Sequence, residues 1–397
     1  MSQNTRQDVD KYVMNTYGRT PVCFVRGEGC VLWDDQGREY LDFLAGIAVC
    51  SLGHAHPGVA QAVCNQALKL VHVSNLYYTE PQVAVARLLV DNSFADRVFF
   101  CNSGAEANEG ALKLARLWGK QKKNGAHTVL TMEYSFHGRT LGTLSATGQE
   151  KIQKGYDPLM PRFKHVPYGD VEAARAAMDD GVCAILVEPI QGEGGVVVPP
   201  QGYLAGLKAL CQEAGALLMF DEVQTGLGRT GKLFAYQHWN VTPHVMTLAK
   251  ALANGLPAGA VLAVEEVAAL FTPGSHATTF GAGPVIMEAA RVVLETMTAP
   301  GFLERAEAVG FYFQNRLELL AQKHPEAVEA VRGMGLLLGL VLKGPAAPLL
   351  AKLRERGFIV GQAQEKVVRF APPLVIERAQ IDALCEALDA VLAQGVA

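Results

Sequence analysis

The sequence lacks the features that a membrane-spanning, nucleic-acid-binding or disulfide-stabilised protein needs. No apolar run approaches the roughly eighteen residues of a membrane span. The formal net charge is only −4, so there is no electrostatic reason to expect nucleic acid or an anionic membrane as a partner. The eight cysteines form no Cys-x-x-Cys pair, which argues against a zinc or disulfide framework and favours reduced, buried thiols.

The composition favours a large globular protein. Of the 397 residues 50% are hydrophobic and 19% are charged, so a large core is possible and disorder is disfavoured. The first eight residues are polar and lack the apolar core of a signal peptide, so we expect a cytoplasmic protein. Short strands and helices alternate after residue 300, which predicts a smaller α/β domain that packs with the first fifty residues.

Two apolar runs stop at charged residues in the middle of the chain. Leu217–Phe220 ends at Asp221, and Val245–Leu248 ends just before Lys250. Ligands bind at the carboxyl ends of buried strands in α/β sheets, so we expect both charged residues at strand ends. Taken singly, a solvated lysine and an aspartate that caps a helix or turn are the ordinary alternatives.

The neighbours of Lys250 are apolar, and this suggests a chemical use for the lysine. Desolvation lowers a lysine pKa from about 10.4, which makes a free amine available for a Schiff base. A buried carboxylate such as that of Asp221 suits a protonated pyridine nitrogen. Together the two residues are typical of enzymes that use pyridoxal phosphate.

Two loops have the composition of anion-binding turns. The strand Arg97–Cys101 is followed by Ser103, Gly104 and Ala105 at the start of a helix, where free N–H groups and the helix dipole favour a phosphate. An ordinary capped helix with Ser103 as its cap is the alternative. Residues 275–284 form a second turn, rich in hydroxyl groups and glycine, which could supply a further phosphate contact.

Several other residues have both a possible site role and an ordinary structural alternative. Phe136 or His137 could stack on a flat ring, and Arg139 could bind a carboxylate, with a surface salt bridge as the alternative. Glu193 lies between glycines and is either solvated or an acid of the site.

Two histidines lie close together at positions 54 and 56. No cysteine or carboxylate lies at a plausible ligand spacing from His54 and His56, so we expect no metal site there. We expect a loop and a helix that starts at Pro57 instead.

Six motifs carry a family resemblance. They are Ser103–Asn108, Phe136–Thr140, Glu188–Glu193, Phe220–Gly231, Leu248–Lys250 and Thr278–Gly281. Their order and spacing resemble the class III pyridoxal-phosphate aminotransferases nearly from end to end. Four further segments, Leu44–Val49, Leu52–Pro57, Ser74–Tyr78 and Val367–Pro373, are most similar to the acetylornithine aminotransferases of that class.

The resemblance implies an α/β protein of fold type I among the pyridoxal-phosphate-dependent transferases. It implies a large domain with a mostly parallel, seven-stranded type of sheet flanked by helices, and a smaller α/β domain. The expected division is a segment at 1–50 that belongs to the small domain, a large domain at 51–290 and a small domain at 291–397. It also implies a homodimer with shared active sites.

The resemblance further implies roles toward the cofactor pyridoxal 5′-phosphate. Lys250 would hold it covalently, and Asp221 would keep its ring nitrogen protonated. Val223 and Phe136 would cover the two ring faces. The remaining implied cofactor contacts are Gln224 to the ring hydroxyl, and Ser103, Gly104, Ala105 and the partner subunit's Thr279 around the phosphate.

Implied substrate contacts complete the set. Arg139 would bind the substrate α-carboxylate, Glu193 and Arg369 would form a gate pair near the reacting amine, and Thr278 would lie with them. The implied activity moves the δ-amino group of N2-acetyl-ornithine to 2-oxoglutarate. Other ω-amines (succinyl-ornithine, succinyl-diaminopimelate, ornithine or 4-aminobutyrate) and an isomerase of the glutamate-semialdehyde mutase type stay open.

One turn departs from the family pattern. The family usually has Phe-Gly-Gly-Asn-Pro where this chain has Phe280-Gly-Ala282-Gly283-Pro284. Because Thr279 is kept, we expect cofactor binding to be unaffected. The changed residues bear on the shape of the loop and on the dimer contact.

Overall fold

A computed structural model describes residues 2–395, apart from the side chains at 2–4 and 6. The strands are β1 (Phe24–Glu28), β2 (Val31–Asp34), β3 (Glu39–Asp42), β4 (Arg97–Cys101), β5 (Thr128–Met132), β6 (Phe163–Val166), β7 (Val182–Val187), β8 (Leu217–Asp221), β9 (Val245–Leu248), β10 (Gly259–Ala263), β11 (Val328–Met334), β12 (Leu337–Leu342), β13 (Phe358–Ile359), β14 (Gly361–Ala363) and β15 (Val367–Phe370).

The helices flank these strands. They are α1 (Ser2–Tyr12), α2 (Ala45–Ala48), α3 (Pro57–Lys69), α4 (Glu80–Asp91), α5 (Gly104–Lys122), α6 (Leu141–Ala146), α7 (Glu150–Gln153), α8 (Val171–Ala177), α9 (Tyr203–Ala214), α10 (Glu265–Ala268), α11 (Pro284–Thr298), α12 (Phe302–Lys323), α13 (Ala347–Glu355) and α14 (Arg378–Leu392). Short 3-10 helices cover Ser74–Leu76, Ala235–His238 and Lys250–Ala253.

A seven-stranded sheet forms the centre of the fold. Its order is β4-β10-β9-β8-β7-β5-β6, and only β10 runs antiparallel to its neighbours. The strands β5, β7, β8, β9 and β10 are buried along their whole length, which is why they appear in the sequence as apolar runs without alternation. The predicted α/β architecture with a mostly parallel sheet is confirmed.

The strand register brings the two charged residues to one edge of this sheet. β8 and β9 are parallel neighbours, and Asp221 pairs with Thr247. Lys250 follows two residues after the end of β9. The predicted strand ends are therefore confirmed, and they lie side by side.

Two smaller sheets combine segments from both ends of the chain. One has the order β1-β2-β3-β13, in which Phe358 of β13 pairs in parallel with Leu41 of β3. The other is the antiparallel sheet β11-β12-β15-β14. The division at residues 50 and 290 stays a proposal, and these pairings support it.

Several boundaries follow from local chemistry. Helix α3 starts at Pro57 as predicted, and His56 caps it by accepting the Val59 N–H at 3.3 Å. Pro300 and Gly301 separate α11 from α12, with Gly301 at a φ of 86°. The sequence pattern did not predict α1. Among residues 2–395 no helix is long and apolar enough to cross a membrane.

Candidate active site

A cavity of about 430 Å³ opens at the carboxyl edge of the central sheet. Its wall contains these predicted site residues: Ser103, Gly104, Ala105, Phe136, Arg139, Glu193, Asp221, Val223, Gln224 and Lys250. They come from the ends of β8 and β9, the start of α5 and the loops after β5 and β7. Val49, Asn108, Glu188 and residues 255–258 also line the cavity, although the sequence analysis assigned them no role in the site.

Asp221 forms the floor of the cavity within a fixed hydrogen-bond network. Its Oδ2 accepts a bond from Asn108 Nδ2 at 2.7 Å and lies 2.7 Å from Nδ1 of His137. Its Oδ1 accepts the Val223 N–H at 3.0 Å. Thr247 Oγ1 donates to Asn108 Oδ1 at 2.8 Å, so the amide that orients the carboxylate is itself held. A buried carboxylate with this many partners keeps one position.

Lys250 stands at the cavity wall in a strained backbone conformation. It has a φ of 43°, a left-handed value that non-glycine residues rarely adopt. Desolvation by burial lowers the pKa of its amine to about 8, while Glu193 opposes this shift and Arg369 adds to it. The predicted fall of the lysine pKa is confirmed.

The N-terminus of α5 has the geometry of an anion-binding site. Ser103 caps the helix by accepting the Glu106 N–H at 3.2 Å, which is the role expected of it in an ordinary capped helix. A Cβ on Gly104 would lie 2.8 Å from the side chain of Val223, so only glycine fits there. The N–H groups of the first helical turn have no intrahelical partner, so those of Gly104 and Ala105 are available to a phosphate at the cavity.

Glu188 is an additional acid at the cavity wall. Its Oε2 accepts the Phe136 N–H at 3.2 Å, and this bond holds the loop that carries the Phe136 ring. Burial, with the charge of Asp221 adding to it, raises the pKa of Glu188 well above its usual value.

Glu193 on the cavity wall forms an ion pair with Arg369, as the resemblance implied. Arg369 Nη1 donates to Glu193 Oε1 across a sequence separation of 176 residues. The Arg369 side chain is 3% exposed and that of Glu193 is 29% exposed. Burial pushes the pKa of Glu193 upward, but Arg369 and Lys250 outweigh it and hold the pKa below its usual value. Gln224 lies 3.4 Å from both side chains and links the pair to the floor.

Arg139 faces the cavity from the loop after β5. Its guanidinium lies 5.6 Å from the centre of the Phe136 ring. No carboxylate forms an ion pair with it among residues 2–395, so the alternative of a surface salt bridge is wrong for that part of the chain. It is therefore a cation available to a ligand carboxylate.

Thr278 and Thr279 do not line this cavity. They lie on the wall of a second cavity of about 930 Å³, together with Ser74, Asn75 and Leu76. Asn102 Nδ2 donates to Thr278 Oγ1 at 3.2 Å and so ties this turn to the start of α5. A contact of Thr279 with a phosphate across a dimer stays a prediction.

The turn that departs from the family pattern at 282 and 283 contains one residue in the left-handed conformation, Ala282. A Cβ on Gly281 would lie 2.5 Å from the Phe100 carbonyl oxygen, so glycine is required at that position. Ala282 has a φ of 64° and is buried. The family's second glycine is thus replaced by alanine where L residues are strained.

The donors around the first cavity fit pyridoxal phosphate. One compact space combines an amine, a fixed carboxylate, free helix N–H groups and the apolar side chains of Phe136 and Val223. These groups match an aldehyde, a protonated ring nitrogen, a phosphate and a flat ring. Among residues 2–395 no cluster of three His, Cys, Asp or Glu side chains could hold a metal ion.

Comparison with known proteins agrees with this chemistry. The family described as Aminotransferase class-III matches residues 12–392. An acetylornithine aminotransferase from Caldanaerobacter subterraneus subsp. tengcongensis is 48% identical, over 97% of this chain and 98% of the relative.

Solved structures agree as well. The ornithine aminotransferase from Toxoplasma gondii superposes with a TM-score of 0.96 at 33% identity, covering 100% of this chain and 96% of that chain. The N-acetylornithine aminotransferase from Stenotrophomonas maltophilia superposes with a TM-score of 0.84 at 35% identity, covering 98% and 99%.

Proposed function

The chain belongs to the class III aminotransferases, and we propose that it moves the δ-amino group of N2-acetyl-L-ornithine to 2-oxoglutarate. The products are N-acetyl-L-glutamate 5-semialdehyde and L-glutamate, a step of arginine biosynthesis. The observation that carries the proposal is the cavity that Lys250, Asp221 and Glu193 line together, with Arg369 paired to Glu193. The full-length identity of 48% to an acetylornithine aminotransferase supports the choice of substrate.

The cofactor is pyridoxal 5′-phosphate, which the class uses. When bound, it supplies an aldehyde that bonds amines and a ring that withdraws electrons from the adjoining carbon. Ser103, Gly104 and Ala105 would hold its phosphate, Phe136 and Val223 its ring faces, and Gln224 its hydroxyl. Asp221 would pair with its ring nitrogen.

Lys250 has two tasks that its environment supports. Its amine is partly deprotonated near neutral pH because burial lowers its pKa to about 8. It can therefore attach to a carbonyl, and after release it can take a proton from the substrate carbon and return it. The strained φ of 43° fixes the start of the side chain toward the cavity.

Asp221 has an electrostatic task. Asn108 and His137 both bond the same oxygen, Oδ2, and hold the carboxylate at the cavity floor. A carboxylate that cannot rotate favours a proton on a ring nitrogen throughout the reaction without reorganising.

Glu193 and Arg369 account for two unlike amino donors. Acetyl-ornithine offers a terminal amine whose only carboxylate is distant, and with it the ion pair stays closed. Glutamate brings a carboxylate beside its amine, which displaces Glu193 and takes Arg369. Gly192, Gly194 and Gly195 around Glu193 let that loop move. Arg139 holds the distant carboxylate in both cases.

Ornithine is the second candidate donor, since the T. gondii ornithine aminotransferase shares the fold with a TM-score of 0.96. Free ornithine carries an additional α-ammonium group where acetyl-ornithine carries a neutral amide. Steady-state kinetics with a panel of ω-amines against 2-oxoglutarate separates the two. We expect the highest kcat/KM with acetyl-ornithine; a higher value with ornithine or 4-aminobutyrate, or product without consumption of the oxo-acid, would overturn the proposal.

We also propose a cytoplasmic homodimer. Leu76, Tyr77, Tyr78 and Phe280 are large apolar side chains that are exposed in the single chain near the cavity that contains Thr279. A second copy docked there would cover them and could bring Thr279 to the partner's phosphate site. Sedimentation of the wild type, and loss of cofactor affinity in Thr279→Ala, test this arrangement.

A further inference from the structure

A second buried arginine, Arg229, lies in the loop after β8. Its side chain is among the largest that are fully buried. No carboxylate in the described part of the chain forms an ion pair with it, and Asp42, whose charge favours the cation, is bonded to His54. Burying a charge without an opposite charge destabilises a fold, so we looked for the role of Arg229 in the groups that it bonds.

The guanidinium of Arg229 bonds three segments of the chain at once. Its Nη1 donates to the carbonyl oxygen of Leu336 at 3.1 Å and to that of Pro372. Its Nη2 donates to Ser51 Oγ at 3.0 Å. The Leu336 N–H donates back to the Arg229 carbonyl oxygen at 3.0 Å. One planar cation therefore joins a loop of the central sheet to two connections of a smaller sheet and to the segment after α2.

Two of these contacts lie at one end of the strands that hold Arg369. β12 and β15 are antiparallel, and Gly339 pairs with Arg369. Leu336 precedes β12 and Pro372 follows β15, so the register brings their carbonyl groups to the same end of the ladder. Proline has no N–H with which to continue the ladder. Arg229 bonds both carbonyls there and so closes this end of the strand pair.

The backbones of the loop and of the smaller sheet meet directly at this point. A Cβ on Gly335 would lie 2.4 Å from the Thr230 carbonyl carbon, and one on Gly228 would lie 2.7 Å from Leu374 Cδ1. Close contact of this kind fixes how far apart the segments are. Hydrogen bonds are directional, so those of Arg229 fix how the segments are aligned.

The Arg369 side chain depends on this alignment. Its hydrogen bonds to Glu193 and Gln224 both use Nη1. Its Nε is buried and has no hydrogen-bond partner among the residues that the structure describes. A guanidinium held at one nitrogen can pivot, so its place in the site is set mainly by the position of β15.

Arg229 and Gln224 belong to one compact loop. Inside it the Gly226 N–H donates to the Glu222 carbonyl oxygen at 3.0 Å. Gln224 lines the cavity and lies 3.4 Å from both members of the gate pair. Arg229 therefore connects the loop that contacts this pair to the strand that carries its arginine.

We propose that Arg229 is a positioning residue that holds Arg369 where the carboxylate of glutamate or 2-oxoglutarate binds. This role rests on the proposed function, in which that carboxylate displaces Glu193 and takes Arg369. Without the bonds of Arg229, the end of β15 shifts relative to the loop after β8, and the Arg369 guanidinium no longer meets the carboxylate at the right distance and angle. Acetyl-ornithine does not bind through Arg369, so its half-reaction should be affected less.

The first test is single-turnover kinetics of the holoenzyme with each donor. Arg229→Met offers an apolar side chain without the hydrogen bonds. It should weaken the apparent binding of glutamate about tenfold more than that of acetyl-ornithine, with a smaller change in the maximal rate. Equal losses with the two donors would overturn the proposal, because they would indicate a general loosening of the fold.

Arg229→Lys separates the charge of the side chain from its shape. Lysine keeps the charge on a single nitrogen but lacks the planar guanidinium. We expect the same donor-selective loss as in Arg229→Met, and this variant also serves if Arg229→Met does not fold. Full recovery of glutamate binding in Arg229→Lys would overturn the positioning role, since the charge alone would then suffice.

Arg305 offers a matched control. From α12 it donates to the carbonyl oxygens of Leu374, Val375 and Ile376 at 3.0, 3.1 and 2.9 Å. It anchors the same connection after β15, but to a helix and not to the loop after β8. Arg305→Met should lower the melting temperature without favouring either donor. A donor-selective loss as large as that of Arg229→Met would count against the specific role of Arg229.

A double-mutant cycle tests whether Arg229 acts through Arg369. In the Arg369→Ala background, Arg229→Met should cause no further loss of glutamate binding, and a full additional loss would overturn the proposal. The cycle also separates the two claims. If Arg369→Ala alone leaves glutamate binding intact, the switch of the proposed function fails. If Arg369→Ala weakens it and Arg229→Met does not, only the positioning role of Arg229 fails.

Discussion

The two acid–base pairs of the cavity differ in a way that matches their tasks. The Asp221–His137 pair is buried on both sides, with side-chain exposures of 3% and 0%, and it accepts three further hydrogen bonds from Asn108 and Val223. The Glu193–Arg369 pair joins a glycine-rich loop to β15 of another sheet, and its acid is 29% exposed. The first pair is held in a permanent arrangement, whereas the second can exchange its partners. A site that must serve two unlike donors needs both kinds.

Lys250 lines the same cavity and feels the charges of both pairs, and we expect its replacement to have the largest effect. Lys250→Ala removes both the point of attachment and the proton carrier, and we expect turnover to fall at least about 10⁴-fold. The absorption band of the bound cofactor should shift as well. Lys208→Ala is a matched control, because Lys208 is also a partly desolvated lysine but lies on α9 away from the cavity. Full turnover in Lys250→Ala would remove the lysine from the mechanism.

The permanent pair should be the next most sensitive. Asp221→Ala leaves the phosphate contacts in place, so cofactor occupancy should hold while turnover falls. Removing one partner of a buried charge pair costs about 3–5 kcal/mol, which is about two to four decades in rate. Cofactor content and kcat, measured on the same sample, check this result.

A neighbouring carboxylate controls for the effect of burial. Glu222 is buried as well, but it accepts the N–H groups of Ala235 and Tyr236 and does not line the cavity. Glu222→Gln should lower the melting temperature and leave kcat within a factor of a few. If Asp221→Ala also lowers the melting temperature while leaving kcat within a factor of a few, Asp221 has a structural role and not a catalytic one.

The exchangeable pair should respond differently to its two partners. Arg369→Ala should slow the glutamate half-reaction about 10- to 100-fold, since a charge-assisted hydrogen bond is worth about 1.5–3 kcal/mol. Glu193→Ala should raise kcat/KM for glutamate relative to acetyl-ornithine. Single-turnover kinetics with each donor measure the glutamate and acetyl-ornithine half-reactions separately. If both variants slow both half-reactions equally, the pair does not switch between the two donors.

The sequence allowed the acid of the permanent pair, Asp221, to be located, but not its partner His137 or its network. Apolar runs that stop at Asp221 and before Lys250 predicted two strand ends, and the parallel register of β8 and β9 brings them together. The network depends on Asn108 and Thr247, whose contacts are set by how α5 packs on the sheet. The sequence did contain one signal for this network. Asn108 and Thr247 are polar residues in otherwise apolar stretches of α5 and β9, where both are buried.

The pairing of Glu193 with Arg369 could not be predicted from the local sequence pattern. Glu193 stood out because it lies between glycines, but nothing in its surroundings pointed to Arg369, which is 176 residues distant. Only the resemblance joined them. Register and packing between separate sheets are tertiary properties that a local pattern does not contain.

The smallest expected effect is a pH dependence that compares the two pairs directly. Attachment of pyridoxal phosphate to the cofactor-free protein needs the neutral Lys250 amine, whose pKa is about 8. The rate of attachment should therefore rise about tenfold per pH unit below that value and level off above it.

Glu193 raises the pKa of Lys250 more than Asp221 does, and Arg369 lowers it. Stopped-flow absorbance should place the midpoint of Glu193→Gln below that of the wild type and the midpoint of Arg369→Gln above it. Asp221→Asn should move the midpoint downward by less than Glu193→Gln does. A larger shift in Asp221→Asn would mean that the permanent pair, rather than the exchangeable one, controls the charge of the lysine.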